Sequence, residues 1–346
     1  MAIKRPYTAW PLLSGQTRSV LMLIICAMDM SMTLPNMKLQ EPPHTSTFHG
    51  DGPFLPFLVL ETTVEMTPAA TGCQEPLCAV RLKFLGPRED DGLSSVPSPS
   101  PRPLVVFSPG FMVGCDRYAS YGRRLASFGF NALMWEPLHE ILPFRVNSHE
   151  TLSLFVNELL EWVFVNNATN SSSVLRGMVD LSAGAMLVGH SRGAKANSLL
   201  AAKCGVIGFG KGGTGSGQGV DGRSGVDASA AGGAFVCHHT IKAVVNLDPV
   251  DGSGMDKNPS VFPLLPNASA VFLNIGSELG NQTSASGIAC APAGRNYDAF
   301  FAASSSPSWL LKLLRVGHMQ FLDDPPPLCV TCALLRDLCP GLSFAH

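Results

Sequence analysis

Charge is scarce in this sequence, and it forms no pattern. Asp, Glu, Lys and Arg make up 14% of 346 residues and nearly cancel, leaving a formal net charge of -2. No basic stripe occurs, so the electrostatic footprint of a nucleic-acid binder is missing. A helix that crosses a bilayer needs about 20 apolar residues, and the run from Val20 to Met28 is too short for that. The spacing of a zinc site is also missing. Cys329, Cys332 and Cys339 have neither a second paired cluster nor a nearby histidine pair, so neither metal nor cofactor is expected. Lys211-Gly212-Gly213-Thr214-Gly215 holds the residue types of a phosphate loop, but in the wrong order and with no helix after it.

Apolar residues, by contrast, are plentiful, at 46% of the chain, and the mean hydropathy is +0.20. The length suits one large α/β domain with a substantial core. An apolar groove or a membrane-surface habit would give the same composition. The first 50 residues read as a targeting segment rather than fold. Lys4, Arg5 and Arg18 precede the apolar run, and Asp29 is the only acidic residue before Glu41. A plastid transit peptide, and hence a chloroplast location, is expected. A secretory signal is the rival, and N-x-S/T sites at Asn167, Asn170, Asn267 and Asn281 are compatible with it. The folded domain is expected over 51–346, interrupted by a disordered glycine-rich insertion at about 205–233.

The most informative stretch is Gly189-His190-Ser191-Arg192-Gly193, a G-x-S-x-G motif. The apolar run Ala185-Met186-Leu187-Val188 precedes it and reads as a buried strand. Good helix formers follow it from Ala194 to Lys203. A serine on a sharp strand-to-helix turn projects its hydroxyl over the edge of a parallel sheet, and the flanking glycines permit the turn. Serine needs a base and an acid, which in α/β hydrolases follow it in the order Asp or Glu, then His. His318, after the apolar segment 309–316 and the turn residue Gly317, is the expected base. His238 and His239 precede a strand, which puts them at the opposite edge of the sheet. Three carboxylates compete as the acid. Asp248 and Asp251 follow the strand-like run 241–247, and Glu278 follows the run 270–275; Asp248 is tied most tightly to a strand end.

Leu104-Val105-Val106-Phe107 is another strand, and the Pro109-Gly110 turn after it aims the amide of Phe111 or Met112 toward the serine. With the Arg192 amide this makes an oxyanion hole. Early strands are expected over 57–66 and 79–84, a helix capped by Asp116 and running to Phe128, a strand over 131–135 and a helix over 151–165. Cys73 and Cys78 are placed to pair across a hairpin.

Several segments resemble chlorophyllases. Gly189-His190-Ser191-Arg192-Gly193-Ala194-Lys195 looks like their G-H-S-R-G-G-K elbow, 246–252 resembles their D-P-V-x-G segment, and Gly317-His318-Met319-Gln320-Phe321-Leu322-Asp323-Asp324 is similar to their G-H-M-D-x-L-D-D segment. Ser108-Pro109-Gly110-Phe111 and Tyr118-Ala119-Ser120-Tyr121 also match. Ala194, Gln320 and the glycine-rich insertion depart from the pattern. The resemblance implies an α/β-hydrolase fold, with a mostly parallel sheet and helices on both faces. It also implies Ser191 as nucleophile, Asp248 as acid and His318 as base. The substrate it implies is chlorophyll, cleaved at its phytyl ester. Such a flat, apolar molecule needs an open groove, for which Phe111, Met112, Val261, Phe262, Leu264 and Leu265 are the expected wall, with 251–267 as a lid. A general carboxylesterase or lipase would share every catalytic residue. A non-catalytic pigment-binding relative would need the triad geometry broken.

Overall fold

The computed structural model describes residues 52–88, 100–140, 146–170, 172–207, 236–237, 239–252, 258–282, 289–305 and 307–323. The targeting segment, most of the glycine-rich insertion and the cysteines beyond 323 lie outside the described residues.

Eight strands form one sheet in the order β1-β2-β4-β3-β5-β6-β7-β8. They are β1 (Leu55–Glu65), β2 (Ala79–Arg88), β3 (Leu104–Ser108), β4 (Asn131–Pro137), β5 (Ala185–His190), β6 (Ile241–Leu247), β7 (Val271–Ser277) and β8 (Ser308–Leu313). β2 runs antiparallel to both β1 and β4, and every pairing from β4 through β8 is parallel. The helices are α1 (Pro68–Thr71), α2 (Ala119–Ser127), α3 (His149–Ala168), α4 (Arg192–Ile207) and α5 (Tyr297–Ala303). This is the expected α/β fold, with helices on both faces of a mostly parallel sheet.

Strand alternation builds the two faces. Leu104, Val106, Leu133 and Trp135 point into one core with Phe155, Leu159 and Val163 of α3 and Leu199 and Leu200 of α4. Val105, Phe107, Ala132 and Met134 point the other way, onto Tyr121 and Leu125 of α2. The central strands β3 and β5 are buried along their whole length, as strands covered on both faces must be.

A local signal sets the start of α3 but not that of α2. α3 begins at Ser148, whose hydroxyl accepts from the Thr151 amide at 3.0 Å. Asp116 does not cap α2, which is preceded by a single 3-10 turn over Cys115–Tyr118 and has Tyr118 at its N-cap. The Asp116 carboxylate instead accepts from Lys83 Nζ at 2.6 Å and Arg81 at 2.8 Å across the β2 surface. β1 and β2 are linked through α1, which ends at Gly72 in the left-handed region at φ 70°, and Cys73 and Cys78 are disulfide-bonded beyond it. A second disulfide, Cys204–Cys237, joins the end of α4 to the approach to β6.

After β3 the chain turns to β4 on one side, while β5 flanks β3 on the other. Such a reversal leaves a crevice at the carboxyl ends of the strands, where α/β folds bind ligands. Ser108 pairs with Gly189 at that edge.

Candidate active site

The turn from β5 to α4 carries Ser191. Its backbone sits at φ 54°, a left-handed conformation that costs a non-glycine residue about 1–3 kcal/mol and persists where surrounding packing enforces it. The packing here is explicit. A Cβ at Gly193 would run into the Ser108 and Pro109 carbonyl oxygens, and one at Gly189 would lie 2.6 Å from the Ala194 amide. Only glycine lets the start of α4 lie this close to the loop after β3. The Ser191 amide donates to the Leu247 carbonyl at 3.0 Å, fastening the elbow to β6.

Asp248 lies immediately past the end of β6, also with positive φ, at 40°. Its carboxylate is fully buried and has three donors. Oδ1 accepts from the Ser277 amide at 2.8 Å; Oδ2 accepts from the Ser277 hydroxyl at 2.5 Å and from His318 Nδ1 at 2.7 Å. Nδ1 therefore carries a hydrogen, which leaves Nε2 of a neutral His318 able to accept a proton. His318 stands at the start of a 3-10 turn after β8, and its ring lies 4.6 Å from that of His190, the residue before Ser191. The loops after β5, β6 and β8 thus bring Ser191, Asp248 and His318 to one edge of the sheet.

The other two acid candidates are committed elsewhere. Glu278 accepts from the Arg315 amide at 2.9 Å, closing the end of β8. Asp251 forms an ion pair with Lys195 of α4 at 3.2 Å, with side chains 1% and 0% exposed, and accepts from Ser260 Oγ and the Val261 amide.

Arg192 is the first residue of α4, so its amide is among the helical N–H groups with no acceptor inside the helix. Its guanidinium donates to both Glu140 oxygens, at 2.9 and 3.2 Å, and to the Asn147 carbonyl, and it covers the Phe111 ring at 5.1 Å. The loop after β3 turns at Phe111 and Met112, where Val113 donates back to Gly110 and Met112 sits at φ 56°. Phe111 and Arg192 therefore adjoin at the crevice.

The expected groove wall needs correction. Leu265 and Val261 are fully buried in the core under α4, and the half-buried Phe262 and Leu264 pack against it; Phe262 stands edge-on to Phe300 at 5.3 Å. Of the expected lid over 251–267, residues 253–257 lie outside the described residues, and 258–267 packs on the core instead of over the crevice. It descends along α4, with the Asn267 backbone against Gly205 near the helix end, because it must feed β7 from the bottom of the sheet. Of the named wall residues, Phe111 and Met112 remain at the crevice, both half-buried.

Sequence reasoning missed Ser277, Tyr118 and His190. Tyr118 Oη and His190 Nδ1 are 2.8 Å apart, with both side chains buried. Burial, and then the neighbouring His318, hold the His190 pKa well below the ordinary 6.5. Burial pushes the Tyr118 phenol up. Among the described residues, no group of three or more His, Cys, Asp and Glu is placed to hold a metal, and no helix is long and apolar enough to cross a membrane.

A serine on a strained strand-to-helix turn, at the switch edge of this sheet, defines the class as an α/β-hydrolase fold. Residues 219–341 match the family model for chlorophyllase. The chain is also 37% identical over 92 residues to chlorophyllase-2 of Arabidopsis thaliana, an alignment covering 24% of this chain and 29% of the relative's length. Both similarities point to chlorophyllases, and each covers only part of the chain.

Proposed function

We propose that the protein is a serine ester hydrolase that cleaves the phytyl ester of chlorophyll, giving chlorophyllide and phytol. The observation that carries this reading is the buried contact of His318 Nδ1 with Asp248 Oδ2 at 2.7 Å beside the Ser191 elbow. His318 Nε2 takes the Ser191 hydroxyl proton as the oxygen attacks the ester carbonyl. The Arg192 and Phe111 amides stabilise the oxyanion; one such donor is typically worth about 3–4 kcal/mol. His318 returns the proton to the leaving alcohol, Asp248 stabilises the imidazolium, and water cleaves the acyl-serine by the same steps. The similarity to chlorophyllases over 219–341 and the half-buried Phe111 and Met112 at the crevice support this substrate. Incubation with chlorophyll a and with a short p-nitrophenyl ester tests it. Chlorophyllide as product supports the reading, turnover of the short ester alone points to a general carboxylesterase, and no turnover of either overturns it.

The compartment belongs to the same proposal. Residues 1–50 suit a chloroplast transit segment. The Cys73–Cys78 and Cys204–Cys237 disulfides call for oxidising surroundings, which the rival secretory route supplies. Imaging a fluorescent fusion of the full chain decides between them. Surface association with the membranes that hold chlorophyll is tested by vesicle co-sedimentation.

A further inference from the structure

A chain of hydrogen bonds runs beneath the site, and its directions are forced. The Gly110 amide donates to Tyr118 Oη at 3.0 Å; Tyr118 Oη meets His190 Nδ1 at 2.8 Å; and His190 Nε2 meets the His318 carbonyl oxygen at 3.1 Å. A carbonyl only accepts, so His190 Nε2 carries the hydrogen. In a neutral ring Nδ1 then accepts, and the Tyr118 hydroxyl donates to it while accepting from Gly110. A charged His190 would turn Nδ1 into a donor and leave the Tyr118 proton without an acceptor. The chain of bonds is complete in one protonation state only.

Both ends of the chain matter to the proposed chemistry. Gly110 precedes Phe111, whose amide is the proposed oxyanion donor, and His318 is the proposed base. The rings between them are held tightly. Tyr118 packs on Phe107 at 4.7 Å, and the His190 ring lies 4.6 Å from His318 and 5.6 Å from Phe321. A Cβ at Gly110 would come within 2.8 Å of His190 Nδ1, so the loop rests directly on the imidazole. Polar networks buried this deeply rigidify what they join when every member is satisfied.

We propose that Tyr118 and His190 are positioning residues that lock the Phe111 amide and the His318 imidazole into one geometry. The inference rests on the ester-hydrolase reading. Neither side chain touches substrate. Their effect is on transition-state alignment, where small displacements weigh heavily.

The test uses the full-length protein, with active sites counted by stoichiometric labelling of Ser191 with a p-nitrophenyl phosphonate. Tyr118→Phe removes one oxygen, and His190→Gln can keep the Nε2 donor to the His318 carbonyl but has no acceptor at the Nδ1 position that meets Tyr118. Each should lower kcat per labelled site about tenfold to a hundredfold with KM within about twofold. The double variant should be about as slow as either single one, because both break the same link. Wild-type kcat in Tyr118→Phe, or losses that multiply in the double variant, would overturn the relay. Imidazole nitrogen NMR of the wild type reads the relay without turnover or variants. His190 protonated at Nε2 alone supports it, and a hydrogen on Nδ1 refutes it. A wild type that takes no phosphonate label and cleaves no ester sinks the ester-hydrolase reading, and with it the role of the relay, while the NMR result still judges the geometry.

Discussion

Asp248 and Glu278 stand at the ends of neighbouring strands, yet only Asp248 reaches His318, at 2.7 Å. The pairing is made by register. Asn246 and Leu247 of β6 align with Asn274 and Ile275 of β7, so Ser277 donates to the Asp248 carboxylate from the adjacent strand end. Three donors on one buried carboxylate fix its orientation toward the imidazole.

Replacing Asp248 with Asn should therefore lower kcat by roughly four orders of magnitude, since the amide favours the wrong imidazole tautomer. Glu278→Gln should stay within about tenfold, because the amide oxygen still accepts from Arg315 and a tenfold loss is already about 1.4 kcal/mol. Steady-state kinetics on a p-nitrophenyl ester measure both. A larger loss in Glu278→Gln would transfer the acid role to Glu278.

Lys195 and Asp251 tie the helix behind Ser191 to the loop that carries Asp248. The Lys195 amide lies one helical turn past Ser191, bonded to its carbonyl, and the ammonium reaches Asp251 at 3.2 Å with both side chains buried. Removing one member of a buried pair leaves an uncompensated charge, so Lys195→Met should cost about 3–5 kcal/mol of stability. Adding Asp251→Asn should recover part of that, because it removes the unpaired charge while the amide oxygen still accepts from the Val261 amide and the amide nitrogen can donate to the Ser260 hydroxyl. Urea unfolding of the three proteins measures this. A single variant within about 1 kcal/mol of wild type would show that the pair carries no such weight.

How much of this was legible in the sequence follows from the range of each signal. The elbow is a short-range code. Gly189, Ser191 and Gly193 lie within five residues, and the requirement for glycine comes from contacts that any strand-to-helix turn of this kind makes. β3, β5 and β6 read directly as apolar runs, because strands covered on both faces have no polar side. The position of Asp248 at a strand end favoured it locally, but its contact with Ser277 depends on the β6–β7 register, and linking Tyr118 to His190 spans 72 positions of chain; no local pattern encodes those two contacts. Leu265 shows the opposite failure. An apolar residue suits a groove wall and a core equally well, and only the path of the chain down α4 to β7 decides for the core. Asp116 looked like a helix cap because capping is a local rule, and it lost to Lys83 and Arg81 on a strand 33 and 35 residues away.

His190 should impose an acid limit on stability. Below the ordinary histidine value of 6.5 the unfolded chain binds a proton at this ring, while the folded ring stays neutral to well below it. Unfolding then takes up a proton, so stability falls as the pH falls, by about 1.4 kcal/mol per pH unit for one group. Above 6.5 the two states bind alike and the term vanishes. The slope persists down to the folded pKa. In His190→Gln, thermal unfolding between pH 6.5 and 5 should show a slope shallower by about one proton. Parallel slopes in the two proteins would mean that the folded ring accepts the proton.

Deleting residues 213–232 should leave ester hydrolysis within a few-fold of wild type, by roughly the latitude that small effects on the barrier allow. The segment lies outside the described residues, but the elements that flank its connection, α4 and β6, do not. α4 starts at Arg192, beside the site, and runs 16 residues to Ile207, about 24 Å away at the usual rise. The chain returns at Val236 and enters β6 at Ile241, at the end of that strand opposite Asp248. The connection that carries the deleted residues thus leaves α4 and rejoins β6 at the bottom of the sheet. The Cys204–Cys237 bond already holds the two ends together across 33 positions. Shortening the connection to about 13 changes the closure term by under about 1 kcal/mol, in the stabilising direction. Activity on the p-nitrophenyl ester and the thermal midpoint, measured with the disulfide intact, test this together. A deletion variant that unfolds at the wild-type temperature but has lost turnover would mean that the segment reaches the crevice from below and belongs to the site.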